Sequence, residues 1–206
     1  MTNEHTIAAL CARSDANARA RGFVDDANPR PFYSSIILLH SELSEALEDF
    51  RAHRGIDEVY YEYNNNGVVL RMDGNSTAYS EMTPENRATL KPCGIPIELA
   101  DFVIRVCQEC GTAGKGQELH VAFITAAYDD NDLTCFEQML AEAHRFTSLA
   151  YSAVSTKTGD GVDQLGTALY IVFMFCKKNH IDLWAAIDEK AAFNLTRSHK
   201  HGGKKL

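Results

Sequence analysis

The 206-residue chain carries 20 Lys and Arg against 28 Asp and Glu, a net charge of −8, and is 45% hydrophobic. This balance excludes a disordered chain, and it excludes a general nucleic-acid-binding surface, which needs clustered cations to neutralise phosphates. The most apolar run, Leu165 to Cys176, is too short for a membrane span and is followed by Lys177 and Lys178.

Apolar spacing is mostly helical along the chain. Ile7, Leu10 and Cys11 with the Ala-rich run to Ala20 predict a first helix that ends at Gly22. Ile36, Leu39, Leu43, Leu47 and Phe50 recur every three or four residues and predict an amphipathic helix over 32–52. The period then changes: Val59 to Tyr63 and Val68 to Met72 flank Asn64-Asn65-Asn66-Gly67, a β-hairpin around residues 58–72. A third helix starts after Gly94 with Pro96 in its first turn and ends in Gly111, followed by a loop over 111–116. A shorter helix over 118–128, a turn at Asp129-Asp130-Asn131-Asp132, and helices over 133–155, 162–179 and 182–195 complete the series, with Asp182 capping the last. The expectation is a single all-α helical bundle over 1–206 with an inserted hairpin. The first residues lack the basic-then-apolar pattern of a leader, and six scattered cysteines suit reduced thiols, so a cytoplasmic protein is expected.

The second helix carries Glu42 and Glu45, the third Glu98 and Asp101, and the spacing puts each pair on one helical face. Leu39, Leu43, Leu99, Ala100 and Phe102 flank these acids, so the carboxylates sit at the margin of a core, where they are costly unless paired or liganded. If the two helices face each other, four carboxylates converge, and an all-oxygen set suits Mg²⁺ or Mn²⁺. Taken alone, one such pair on a helix is usually a solvated face.

Ser41-Glu42-Leu43-Ser44-Glu45-Ala46-Leu47-Glu48, Gly94-Ile95-Pro96-Ile97-Glu98-Leu99-Ala100-Asp101, and Lys190 through Asn194 with Arg197 to Lys204 together resemble the MazG-like all-α nucleotide pyrophosphohydrolases; Ala18 through Phe23 is similar too. The resemblance implies an enzyme, a hydrolase acting on acid anhydrides, that cleaves NTPs or dNTPs between the α and β phosphates to monophosphate and pyrophosphate, with a role in nucleotide-pool sanitation. It implies Glu42, Glu45, Glu98 and Asp101 as the metal and catalytic set, and a homodimer with no nucleic-acid or membrane partner. Ser41 stands where many members have a further Glu, which leaves open the number of ions and the group that activates water. Lys190, Asn194 and Arg197 fall at i, i+4 and i+7 and, with Lys204 of the glycine-containing tail, are expected to face phosphate.

Short relatives lack an equivalent of residues 112–176. Gln164 to Tyr170 reads as an acid-pair helix whose acids have become Gln164 and Thr167, so the segment is either a degenerate internal repeat or a helical insertion. Cys107-Gln108-Glu109-Cys110 could bind zinc only with Cys93 and His120, and packed thiols are the simpler reading. Phe23, Phe32, Tyr33 and Trp184 are candidates for stacking on a base, each equally explained as core. The competing function is a noncatalytic nucleotide-binding or regulatory bundle that keeps its acids for structure.

Overall fold

The structure, a computed structural model, describes residues 5–65, 68–129, 133 and 135–196. Among them are nine helices and one three-stranded antiparallel sheet. The Asn66-Gly67 step of the expected hairpin turn, much of the acidic turn at 129–132, and Arg197 and Lys204 lie outside the described residues.

Helix α1 (Ile7–Ala20) starts where Thr6 accepts a hydrogen bond from the Ala9 amide, and it stops before Gly22, whose φ of +75° is a left-handed exit. Helix α2 (Phe32–Arg51) buries Ile36, Leu39, Leu43 and Ala46 on the stripe its periodicity marks. Strands β1 (Tyr60–Asn65) and β2 (Val68–Asp73) pair as the expected hairpin. The hairpin expectation is incomplete, however: β1 also pairs with β3 (Lys91–Cys93), giving the order β2-β1-β3. Between β2 and β3 lie two single-turn helices, α3 (Thr77–Ser80) and α4 (Pro84–Arg87), capped by Ser76 and Thr83. Strand β3 is too short to show an alternation of its own, and its partner lies across the intervening segment, so the local pattern carried no sign of it.

Gly94 joins β3 to α5 (Ile95–Thr112) at φ +114°, and a Cβ there would stand 2.2 Å from the Glu58 carbonyl oxygen. This close approach fixes the start of the acid-bearing helix against the strand before it. The loop expected over 111–116 is present but shorter: α5 continues through Thr112, and residues 113–115 connect it to α6 (Gly116–Ile124). Gly111 is glycine because α1 passes so near that a Cβ would meet the Cys11 carbonyl oxygen at 2.5 Å. Composition alone cannot distinguish a glycine used for close packing from one used for a turn.

Helices α7 (Phe136–Ser155), α8 (Val162–Lys178) and α9 (Leu183–Thr196) follow, and Asp182 accepts from the Ala185 amide at 3.0 Å as its capping role requires. Helix α5 is the hub of the first half, packing on α1 and α2, while α8 packs on α6 and α7. The halves meet through α1 against α6 and α2 against α7, and α9 returns to lie on α5. One continuous core runs through both halves, from Ile7 and Leu43 to Leu169 and Phe175. No described helix is long and apolar enough to cross a membrane.

Candidate metal centre and its cavity

Helix α2 turns Glu42 inward beside Leu43, and α5 turns Glu98 and Asp101 inward between Ile97, Leu99 and Phe102; all three acids are buried. Glu45, one turn beyond Glu42, is exposed. The structure brings Glu42, Glu45 and Glu98 together, each with an oxygen within 4.8 Å of the others'. Glu98 Oε2 is buried and accepts no hydrogen bond. The fourth acid is held differently: Asp101 Oδ2 lies 3.3 Å from Lys190 Nζ, and Asn194 Nδ2 donates to Asp101 Oδ1 at 3.5 Å.

Lys190 does not lie on a solvent-facing strip. It is 3% exposed, and its ammonium also lies 3.5 Å from Glu98 Oε2. The second cation in the cluster is Arg105, one turn beyond Asp101 on α5, with Nε 2.5 Å from Glu42 Oε1. Like charges and burial dominate the titration of the acids. Burial, then Asp101, with Glu45 and Glu98 adding, pushes Glu42 up to about 8 although Arg105 touches it. Burial likewise raises Glu98 to about 7 against the opposing pull of Lys190. Asp101 is as deeply placed, but Lys190 and Arg105 outweigh its burial and hold it below the usual carboxylate range. Lys190 and Arg105 are held firmly protonated by the same acids despite the burial that opposes their charge.

Glu42, Glu45, Asp101, Arg105 and Lys190 line a cavity of about 300 Å³ between α1, α2, α5 and α9, to which Phe23 and Arg30 also contribute, whereas Glu98 is not part of its lining. Six basic side chains line it, Arg13, Arg21, Arg30, Lys91, Arg105 and Lys190, against three acids, Glu42, Glu45 and Asp101. Three of these bases are answered by acids outside the lining, Arg13 by Asp188 at 2.8 Å, Lys91 by Glu62 at 3.8 Å and Lys190 by Glu98 at 3.5 Å. Sequence reasoning missed Arg13, Arg30, Lys91 and Arg105. The usable signal was Arg105 at i+4 from Asp101, the same periodicity that paired the acids.

Comparison with known protein families, with curated proteins and with solved structures gives no match for this chain.

The remaining candidates have other surroundings. Of the aromatic residues considered for base stacking, Phe23 lines the cavity, whereas Phe32 packs on the core and Tyr33 is exposed. Trp184 stacks on His5 and packs against Phe173. Cys107 and Cys110 are buried, with Cys11 of α1 as the neighbour that helps burial raise the Cys107 thiol. Among the described residues, the three glutamates are the one cluster of metal-ligating side chains. Gln164 and Thr167 line no part of the cavity, and the Thr167 hydroxyl donates to the Asp163 carbonyl.

Proposed function

We propose that this chain is a Mg²⁺-dependent nucleoside triphosphate pyrophosphohydrolase of the MazG-like kind, hydrolysing NTPs or dNTPs to monophosphate and pyrophosphate. The observation that carries the reading is the convergence of Glu42, Glu45 and Glu98 from two helices within 4.8 Å, two of them lining a cavity to which six basic side chains also contribute. The donor set fits the ion: it is all oxygen, two of its members are buried, and Glu98 Oε2 accepts no hydrogen bond, with the Lys190 ammonium 3.5 Å away. Glu42, Glu45 and Glu98 would hold Mg²⁺ or Mn²⁺, with Asp101 oriented beside them by Lys190 and Asn194. A bound divalent ion supplies polarisation of phosphate oxygens and an acidified water. The chain's own part is to present carboxylates already desolvated and to face the triphosphate with guanidinium and ammonium groups. Phe23, Leu38 and Ile104 give the same cavity an apolar wall suited to a base or sugar.

The helix packing supports reading 112–176 as a degenerate second half. Helices α6 and α7 pack on α8 as α1 and α2 pack on α5, and the corresponding helices of the two halves meet. Gln164 and Thr167 then stand where a second acid pair would be, so one site per chain is expected.

A second reading has its own observation. Lys190 and Arg105 already neutralise much of the acid cluster, which is what a noncatalytic nucleotide-binding bundle would need. One experiment separates the two. Protein incubated with NTPs and dNTPs plus Mg²⁺ is expected to release monophosphate and pyrophosphate, resolved by ion-exchange chromatography. Glu45→Gln should cut turnover by more than the roughly 10–100-fold that loss of an outer-shell partner costs, with helicity intact. Diphosphate with orthophosphate, or no turnover by metal-loaded protein, overturns the hydrolytic reading.

A further inference from the structure

Arg30 and Arg105 reach the cavity from different elements, one from the segment before α2 and the other from α5. Both line it, and they lie near enough that Arg105 adds to burial in lowering the Arg30 pKa. Two guanidiniums lining one half-buried cavity repel, and an anion between them would relieve that repulsion through the planar forks that match phosphate geometry. The counter-charges present are partial. Among the described residues, no ion pair or hydrogen bond engages Arg30 directly; Glu109 supports it only at longer range, and Glu109 is itself taken by the Ser35 hydroxyl at 2.6 Å. Arg105 leans on Glu42, yet its buried Nε–H makes no hydrogen bond of acceptable geometry. A guanidinium carries five donors, so contact with one carboxylate oxygen leaves an edge for a second acceptor.

We propose that Arg30 and Arg105 form a paired-guanidinium cradle that grips the polyphosphate of the nucleotide, Arg105 bridging it to Glu42 of the acid cluster. The inference rests on the pyrophosphohydrolase reading and names how that site holds its substrate. A polyphosphate is the ligand that satisfies both halves of the cavity. Its oxygens match two planar forks in bidentate fashion, and its charge answers the Arg30 guanidinium, which lines the cavity beside Arg105. A lone carboxylate ligand satisfies neither. Arg105 then has two partners of opposite role, the acid that helps hold the ion and the phosphate the ion serves, so it fixes the distance between them. It acts as a positioning residue, and Arg30 closes the cradle from the other side.

The test is calorimetric titration of inorganic tripolyphosphate into wild-type protein and into Arg30→Gln, Arg30→Lys and Arg105→Gln, in the presence of Mn²⁺. Arg51→Gln, at an exposed position on α2 remote from the cavity lining, is the charge control. Arg30→Gln and Arg105→Gln are expected to weaken tripolyphosphate binding at least about tenfold. Arg30→Lys should recover only part of that loss, because an ammonium is a point charge without the fork. Arg51→Gln should bind as wild type does, and Arg30→Gln should keep wild-type Mn²⁺ binding and circular dichroism. In turnover, Arg30→Gln is expected to raise KM for the nucleotide more than it lowers kcat. Tripolyphosphate affinity within twofold of wild type in Arg30→Gln overturns the cradle even if Arg105→Gln fails to fold. Pyrophosphate release by wild type together with that unchanged affinity overturns the cradle alone. Guanidinium-dependent tripolyphosphate binding by a wild type without turnover supports the cradle and overturns the hydrolytic reading.

Discussion

Lys190 changes character between sequence and structure. At i, i+4 and i+7 with Asn194 and Arg197 it reads as one end of a phosphate-facing strip; the structure puts it and Asn194 in the cavity lining but buries its ammonium between Glu98 and Asp101. Removing one partner of a buried ion pair leaves charge uncompensated, so Lys190→Met in metal-free protein is expected to lose about 3–5 kcal/mol, measured by urea denaturation at pH 7. A loss under about 1 kcal/mol, the scale of an exposed pair, would contradict the buried role. The acids carry their own pH signature. Glu42 and Glu98 are raised to about 8 and about 7, so below those values the ion-free cluster holds protons that a metal must displace. Mn²⁺ affinity should therefore rise by about tenfold or more from pH 6 to pH 8, with proton release detectable by titration in buffers of different ionisation enthalpy. A flat profile would mean that the glutamates do not hold the ion.

At the scale of elements, the acid-bearing helix α5 is placed by two glycines of different purpose. Gly94 allows the chain to pass under the Glu58 carbonyl, and Gly111 lets α1 approach at its Cys11. An exposed helical glycine replaced by alanine usually gains up to about 1 kcal/mol. Gly111→Ala is expected to do the reverse and cost about 1–3 kcal/mol, because the new Cβ would stand 2.5 Å from backbone that cannot swing aside. Thermal unfolding followed by circular dichroism reads the sign directly, and a stabilised variant would show that the helices separate freely. The sequence-derived helices over 32–52 and 162–179 agree with α2 and α8 to within a residue, because each carries a long apolar stripe and a clear stop. The three-stranded sheet was legible only as a hairpin. Its third strand is held by pairing with Tyr60 to Glu62 across the α3 and α4 segment, a contact between residues far apart in the chain.

Over the whole molecule, charge is unevenly placed: in a chain of net −8 the cavity lining carries six bases and three acids. Surface apolar residues are uneven as well. Val68, Val69 and Leu70 are exposed on β2, an edge strand of the sheet. An apolar edge with unpaired backbone groups is a template for a further strand. The homodimer implied by the family resemblance is expected to use it, so sedimentation velocity should give a dimer and Val69→Lys should shift it toward monomer. A wild-type monomer at all concentrations would remove the dimer and leave the site complete within one chain.

The sequence by itself determined the helical registers, the spacing that puts Glu42 with Glu45 and Glu98 with Asp101, and the oxygen chemistry those residues offer. These follow from a period of 3.6 residues, which acts within one element. Tertiary structure alone decided that Glu42, Glu45 and Glu98 converge while Asp101 is claimed by Lys190 and Asn194. It also decided that Arg30 and Arg105 line one cavity. Those facts depend on how α2, α5, α9 and the segment before α2 pack, and packing joins residues whose separation along the chain has no period.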